Sequence, residues 1–151
     1  MYYLIYLIYI FFSVSNSHDY VKADITIDHP VLRIPAENAN VGAGYMEIIN
    51  NSNDEIKLLD IEASIAKKQE IHEVVLVDKI YKMRPVKFGI LIKPNEKLIF
   101  KNKSYHFMFF NLLQKYKNND MLEAKLVFDN DFKIPIKFKV ILGNKDKNHN
   151  H

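Results

Sequence analysis

The sequence predicts an all-β sandwich or barrel in a single domain. Three observations carry that expectation. Apolar and aromatic segments of five to eight residues recur between turn clusters rich in Asn, Asp, Pro and Lys. A helical period holds nowhere for two turns, except around residues 61–68. The composition, 48% hydrophobic and 13% aromatic over 151 residues, suits one compact core.

The elements follow in order. Residues 23–27 alternate apolar and polar, as a half-buried strand does. Gly44-Tyr45-Met46-Glu47-Ile48-Ile49 forms a second strand, stopped by the turn Asn50-Asn51-Ser52-Asn53. Residues 56–61 make a third. Residues 70–77 and 80–86 flank a two-residue turn at Asp78-Lys79 and read as a hairpin. Residues 90–92 precede the turn Lys93-Pro94-Asn95-Glu96; residues 98–100 and 105–112 continue the series. Residues 122–128 and 132–141 close it, joined across Asp129-Asn130-Asp131. No internal repeat or interdomain linker is visible.

The ends differ from this body. Residues 1–17 read as a secretory signal peptide. Tyr2 to Phe12 are all apolar or aromatic, no charge precedes Asp19, and Ser13, Ser15 and Ser17 offer small-residue cleavage positions. The run is too short to span a bilayer, which needs roughly 20 residues, so no stable membrane span is expected after processing. Residues 18–142 are the β domain, and residues 143–151 a polar, histidine-containing tail. The chain is therefore expected in an exported compartment. It contains no cysteine, which excludes a lipid-anchored bacterial lipoprotein and any disulfide, so its core must supply the stability.

Charge and motif content narrow the function. With 21 basic and 18 acidic residues the net charge is only +3, and no basic cluster marks a nucleic-acid binder. There is no Gly-x-Ser-x-Gly, no phosphate-binding glycine loop and only four glycines, so the chain is not expected to be an enzyme.

What remains is the placement of methionine and histidine. His72 is followed after ten residues by Met83, and after 22 more by His106-Phe107-Met108. Strand alternation puts His106 and Met108 on one face, with Tyr105, Phe107 and Phe109 on the core face. In a hairpin centred on Asp78-Lys79, Val74 faces Met83, and His72 lies diagonally on the same side. Taken singly, a strand Met is packing and a strand His a surface residue. Taken together, two imidazoles and two thioethers are a donor set for Cu(I), soft sulfur selecting the soft ion. A blue-copper electron-transfer centre needs a thiolate and is excluded.

The segments Ile71-His72-Glu73, Met83-Arg84-Pro85-Val86 and Tyr105-His106-Phe107-Met108, with Ala43-Gly44-Tyr45-Met46-Glu47-Ile48-Ile49-Asn50 upstream, resemble the periplasmic copper chaperone family that serves the CuA centre of cytochrome c oxidase. The likeness runs over residues 23–140. The second gap is one residue longer than the family's spacing, and the turn 101–104 is the expected place for the extra residue. The resemblance implies a cupredoxin-like Greek-key β-barrel that binds one Cu(I) near its surface through His72, Met83, His106 and Met108. It implies a periplasmic copper chaperone. The recipient would be the CuA domain of oxidase subunit II, directly or through a thioredoxin-like copper protein. Met46 is read as core. Glu73 could orient an imidazole, although a solvated strand residue is the simpler reading.

Two further readings concern the ends. His149 and His151 in the tail, and an Asn16-Ser17-His18 terminus left by cleavage after Ser15, could bind Cu(II) weakly. The competing function is a metal-free exported β-sandwich acting as a protein-interaction module, indifferent to Met83 and Met108.

Overall fold

The computed structural model describes residues 20–22 and 24–143. The expected signal segment 1–17 and the terminal histidines 18, 149 and 151 lie outside the described residues. Among the described residues, eleven strands form one hydrogen-bonded sheet. In chain order they are β1 (Tyr20–Lys22), β2 (Ile25–Ile34), β3 (Val41–Asn50), β4 (Ile56–Ala63), β5 (Ala66–Val77), β6 (Ile80–Pro85), β7 (Ile90–Ile92), β8 (Lys97–Phe100), β9 (His106–Leu112), β10 (Met121–Phe128) and β11 (Lys133–Leu142). Asp129–Asp131 make one 3-10 turn, and no α-helix occurs among the described residues. The expected all-β, cupredoxin-like architecture is what the chain adopts. No helix among the described residues is long and apolar enough to cross a membrane.

The sheet runs β6-β5-β9-β3-β2-β11-β10-β4-β7, with β1 paired to β2 and β8 to β3. All pairs are antiparallel except β2 with β11, where Val31 partners Lys139 and Ile34 partners Leu142. β8 and β9 share one flank of β3: Met46–Ile49 pair with β8 and Val41–Gly44 with β9. That split leaves the loop between β8 and β9 beside the outer face of β3.

Alternation builds the core. Leu32, Ile48, Leu58, Ile61, Leu126, Phe138 and Val140 all point inward and are fully buried. Behind β9 the core is aromatic: Phe107 stacks on Phe100 at 4.3 Å, and Phe109 meets Phe138 edge-on at 5.7 Å. Gly44 is packed closely against these side chains. A Cβ there would stand 3.1 Å from each of Phe107, Phe109 and Phe138. Met46 is buried in the core, as expected.

Several elements depart from the sequence reading; β1 was not expected, and β3 begins at Val41 rather than Gly44. Residues 61–68 are not helical: β4 continues to Ala63 and β5 begins at Ala66. β5 starts four residues before the segment 70–77, its exposed Lys67 and Lys68 hiding the strand pattern. β2 runs on to Ile34 through Pro30, which lacks an N–H. A register shift between Asp28 and Val31, with His29 at φ 48°, absorbs the proline.

Asn50 shows how a turn is locked. Its side chain is fully buried and donates to the carbonyls of Asp54 (2.7 Å), Ile92 (3.1 Å) and Lys93 (3.2 Å). Its Oδ1 accepts from the Ser52 amide and hydroxyl. The turn after β3 is thereby tied to the end of β7.

Candidate metal centre

The candidate residues lie on the outer face of β6-β5-β9-β3. Parity puts them there. Ile71, Phe107 and Phe109 are buried in the core, so their neighbours His72, His106 and Met108 face outward. β5 and β9 pair so that His72 stands opposite His106 and Glu70 opposite Met108. On the far side of β5, His72 partners Pro85 and Val74 partners Met83. The predicted hairpin register is therefore correct, and it is set by a two-residue turn with Asp78 at φ 52° and Lys79 at φ 63°. Both central residues are left-handed, as a type I′ turn requires.

The two imidazole rings are 5.8 Å apart between centroids. Imidazoles that each reach one first-row metal ion at about 2 Å have centroids on the order of 5–6 Å apart. The spacing suits a shared ion. His106 is 4% exposed, and its Nδ1 lies 3.0 Å from the Ser104 carbonyl oxygen. A carbonyl only accepts, so Nδ1 carries the proton and Nε2 keeps its lone pair. Burial holds the His106 pKa below the ordinary histidine value; the hydrogen bond to Ser104 opposes this, and the charge of His72 adds to it. Burial thus favours the neutral ring, the form that binds metal.

His72 is held differently. Its side chain is 12% exposed, its Nε2 lies 2.9 Å from Glu70 Oε2, and its Nδ1 is buried with no hydrogen-bond partner. Hydrogen bonds from His72 and then Lys68 hold the Glu70 carboxyl below the usual carboxylate range. The ring also packs 5.9 Å from Phe110.

The thioethers meet His106 rather than His72. Met83, His106 and Met108 line one open cleft of about 330 Å³, together with Tyr45, Tyr81 and Lys103. His106 thus belongs both to the histidine pair and to the methionine cleft, whereas His72 does not line the cleft, to which β5 contributes Val74. Met83 is 63% exposed, on a strand every residue of which is exposed; Met108 is half-buried. A bare imidazole nitrogen on each His and two neutral thioethers make a donor set without a thiolate, suited to Cu(I).

The carboxylate beside His72 is Glu70, not Glu73. Glu73 is bound to Arg84 at 2.8 Å. Sequence reasoning looked one residue along the chain; strand parity at two residues before His72 was the signal that identifies Glu70.

This fold is that of a PCuAC domain. The chain is similar to the apo PCuAC domain from PmoF1 (TM-score 0.69, 20% identity, covering 83% of this chain and 99% of that one). It is similar to the copper-bound PCuAC domain from PmoF2 (TM-score 0.68, 19% identity, 83% and 98%). Apo-DR1885 from Deinococcus radiodurans also shares the fold (TM-score 0.64, 14% identity, 96% of each chain). No curated protein sequence matches. The chain belongs to the LpqE-like lipoprotein family, whose match runs over residues 25–140, and the resemblance to the periplasmic copper chaperones is borne out. The sequence has no cysteine to which a lipid could be attached.

Proposed function

We propose that the protein is an exported, non-catalytic copper chaperone. It holds one Cu(I) through His72, Met83, His106 and Met108 and delivers it to the CuA centre of cytochrome c oxidase subunit II. The observation that carries this reading is the His72–His106 pair, two opposed imidazoles on one face of the sheet, the second of them lining a methionine-bearing cleft. The names of two fold relatives support it, recording a copper-bound PCuAC domain and a Cu(I) form of DR1885.

The chemistry follows from the donors. Neutral thioethers add no negative charge that would favour Cu(II), so the cuprous state is kept. Met83 is the exposed ligand and the one a recipient reaches first. A recipient ligand displaces it, the ion passes through a shared coordination, and Met108 and the histidines release it in turn. No redox step is needed.

The test is an anaerobic Cu(I) titration of the protein against a chromogenic chelator, with a Met83→Leu/Met108→Leu variant alongside. One tight equivalent, lost in the variant, is expected. The exposed Leu76, Ile80 and Tyr81 on the β5–β6 hairpin favour a second reading, the metal-free interaction module. Absence of Cu(I) binding by the native protein overturns the chaperone reading and leaves this one in its place.

A further inference from the structure

We infer that Glu70 is a positioning residue that selects which nitrogen His72 presents to the metal, holding Nε2–H so that Nδ1 is the ligand atom. The inference rests on the Cu(I) reading of this site. Glu70 and His72 are two residues apart on β5 and share its outer face. Glu70 Oε2 lies 2.9 Å from His72 Nε2. An ionised carboxylate only accepts hydrogen bonds, so the proton sits on Nε2. A neutral imidazole has one N–H, and the lone pair is therefore on Nδ1. That atom is buried and has no partner. Burying an acceptor with nothing to accept from costs stability; a metal ion removes the cost.

Glu70 is itself fixed. Lys68 Nζ lies 2.8 Å from its other oxygen, Oε1, and sits over the Phe110 ring at 5.6 Å. Lys68, Glu70 and His72 form a line at a period of two, each holding the next. With one oxygen taken by Lys68, Oε2 is left for the imidazole.

The two histidines thus differ in kind. His106 turns Nδ1–H to a neutral carbonyl and offers Nε2. His72 turns Nε2–H to a carboxylate and offers Nδ1. Nδ1 is the ring nitrogen nearer the backbone, so the ion is drawn closer to β5 than to β9. The carboxylate also raises the basicity of the ring it holds, making His72 the stronger nitrogen donor and the last to let go.

The experiment reads the tautomer first, without metal. Long-range proton–nitrogen correlations on the 15N-labelled apoprotein should show His72 as the Nε2–H form, with Nδ1 shifting on addition of one equivalent of Cu(I). Glu70→Ala should give a mixture of tautomers and a Cu(I) affinity lower by about 10- to 100-fold. Glu70→Gln retains a carbonyl acceptor for Nε2–H and should rescue the tautomer and part of the affinity. Glu73→Ala should leave both unchanged. A His72 that is Nδ1–H in the native apoprotein overturns the proposal, as does a folded Glu70→Ala that binds Cu(I) like the native chain. If the native protein binds no Cu(I), the chaperone reading fails and the metal half of this inference with it. The apo tautomer still decides separately whether Glu70 holds His72.

Discussion

His72 and His106 face each other across the β5–β9 pair, one oriented by a carboxylate and the other by a main-chain carbonyl. Both acceptors come from the residue two positions earlier in sequence, Glu70 and Ser104. The same spacing therefore prepares two imidazoles by two different means, and both rings are set before any ion arrives.

The two methionines should separate by stability. Met83 is 63% exposed, so Met83→Leu should change the unfolding free energy by less than about 0.5 kcal/mol. Its Cu(I) affinity should nonetheless fall by at least the roughly 10- to 100-fold that loss of a supporting residue costs. Urea unfolding of the apoprotein, paired with chelator competition, checks both. An affinity equal to the native value removes Met83 from the ligand set.

The hairpin turn should respond to geometry alone. Lys79 is held at φ 63° with a side chain that disfavours it. Lys79→Gly should therefore raise stability by about 1 kcal/mol and leave copper affinity unchanged. One residue inserted between Asp78 and Lys79 should do the reverse. It permits a register slip that turns Met83 to the opposite face, and copper affinity should drop while the fold persists.

Acid should act on His106 early. Burial depresses its native pKa, whereas in the unfolded chain it returns to about 6.5. The unfolded state then binds the proton first as pH falls. Stability from this group is complete above about pH 6.5 and is lost as pH falls through the lower native value. His106→Gln lacks that limb. The stability difference between native and His106→Gln apoprotein should shift in favour of the variant from pH 8 to pH 5, as denaturant titrations at each pH will read. A difference that stays constant refutes the linkage.

Gly44→Ala should damage the wall behind the site. Its new Cβ would press on the Cβ of Phe107 and the rings of Phe109 and Phe138 at 3.1 Å each, and these packed side chains have little room to give. Overpacking of this kind costs about 1–3 kcal/mol. Because Phe107 lies between His106 and Met108, copper affinity should fall as well. Thermal unfolding with and without Cu(I) measures the two effects together.

Local patterns in the sequence carried much of this. The Asp78-Lys79 turn placed Val74 against Met83, and the aromatic alternation of residues 105–109 put His106 and Met108 outward. What stayed hidden was non-local or masked. The pairing of His72 with His106 depends on β5 meeting β9, which no hairpin links. Pro30 concealed the second half of β2, and Lys67 and Lys68 concealed the start of β5. That last concealment also obscured Lys68; Glu70 already lay in the expected strand, and its place beside His72 follows from strand parity.

The parallel pairing of β2 with β11 sets the order in which the molecule can be made. Val31 has no neighbour on that side until Lys139 exists. A ribosome must release nearly the whole described domain before the sheet can close, and the strands already synthesised must wait with open edges. Closing so long a loop is slow, as it is for any β-fold dominated by distant contacts. The chain therefore stays threadable throughout its own synthesis, and it gains its final shape only after the last strand is free.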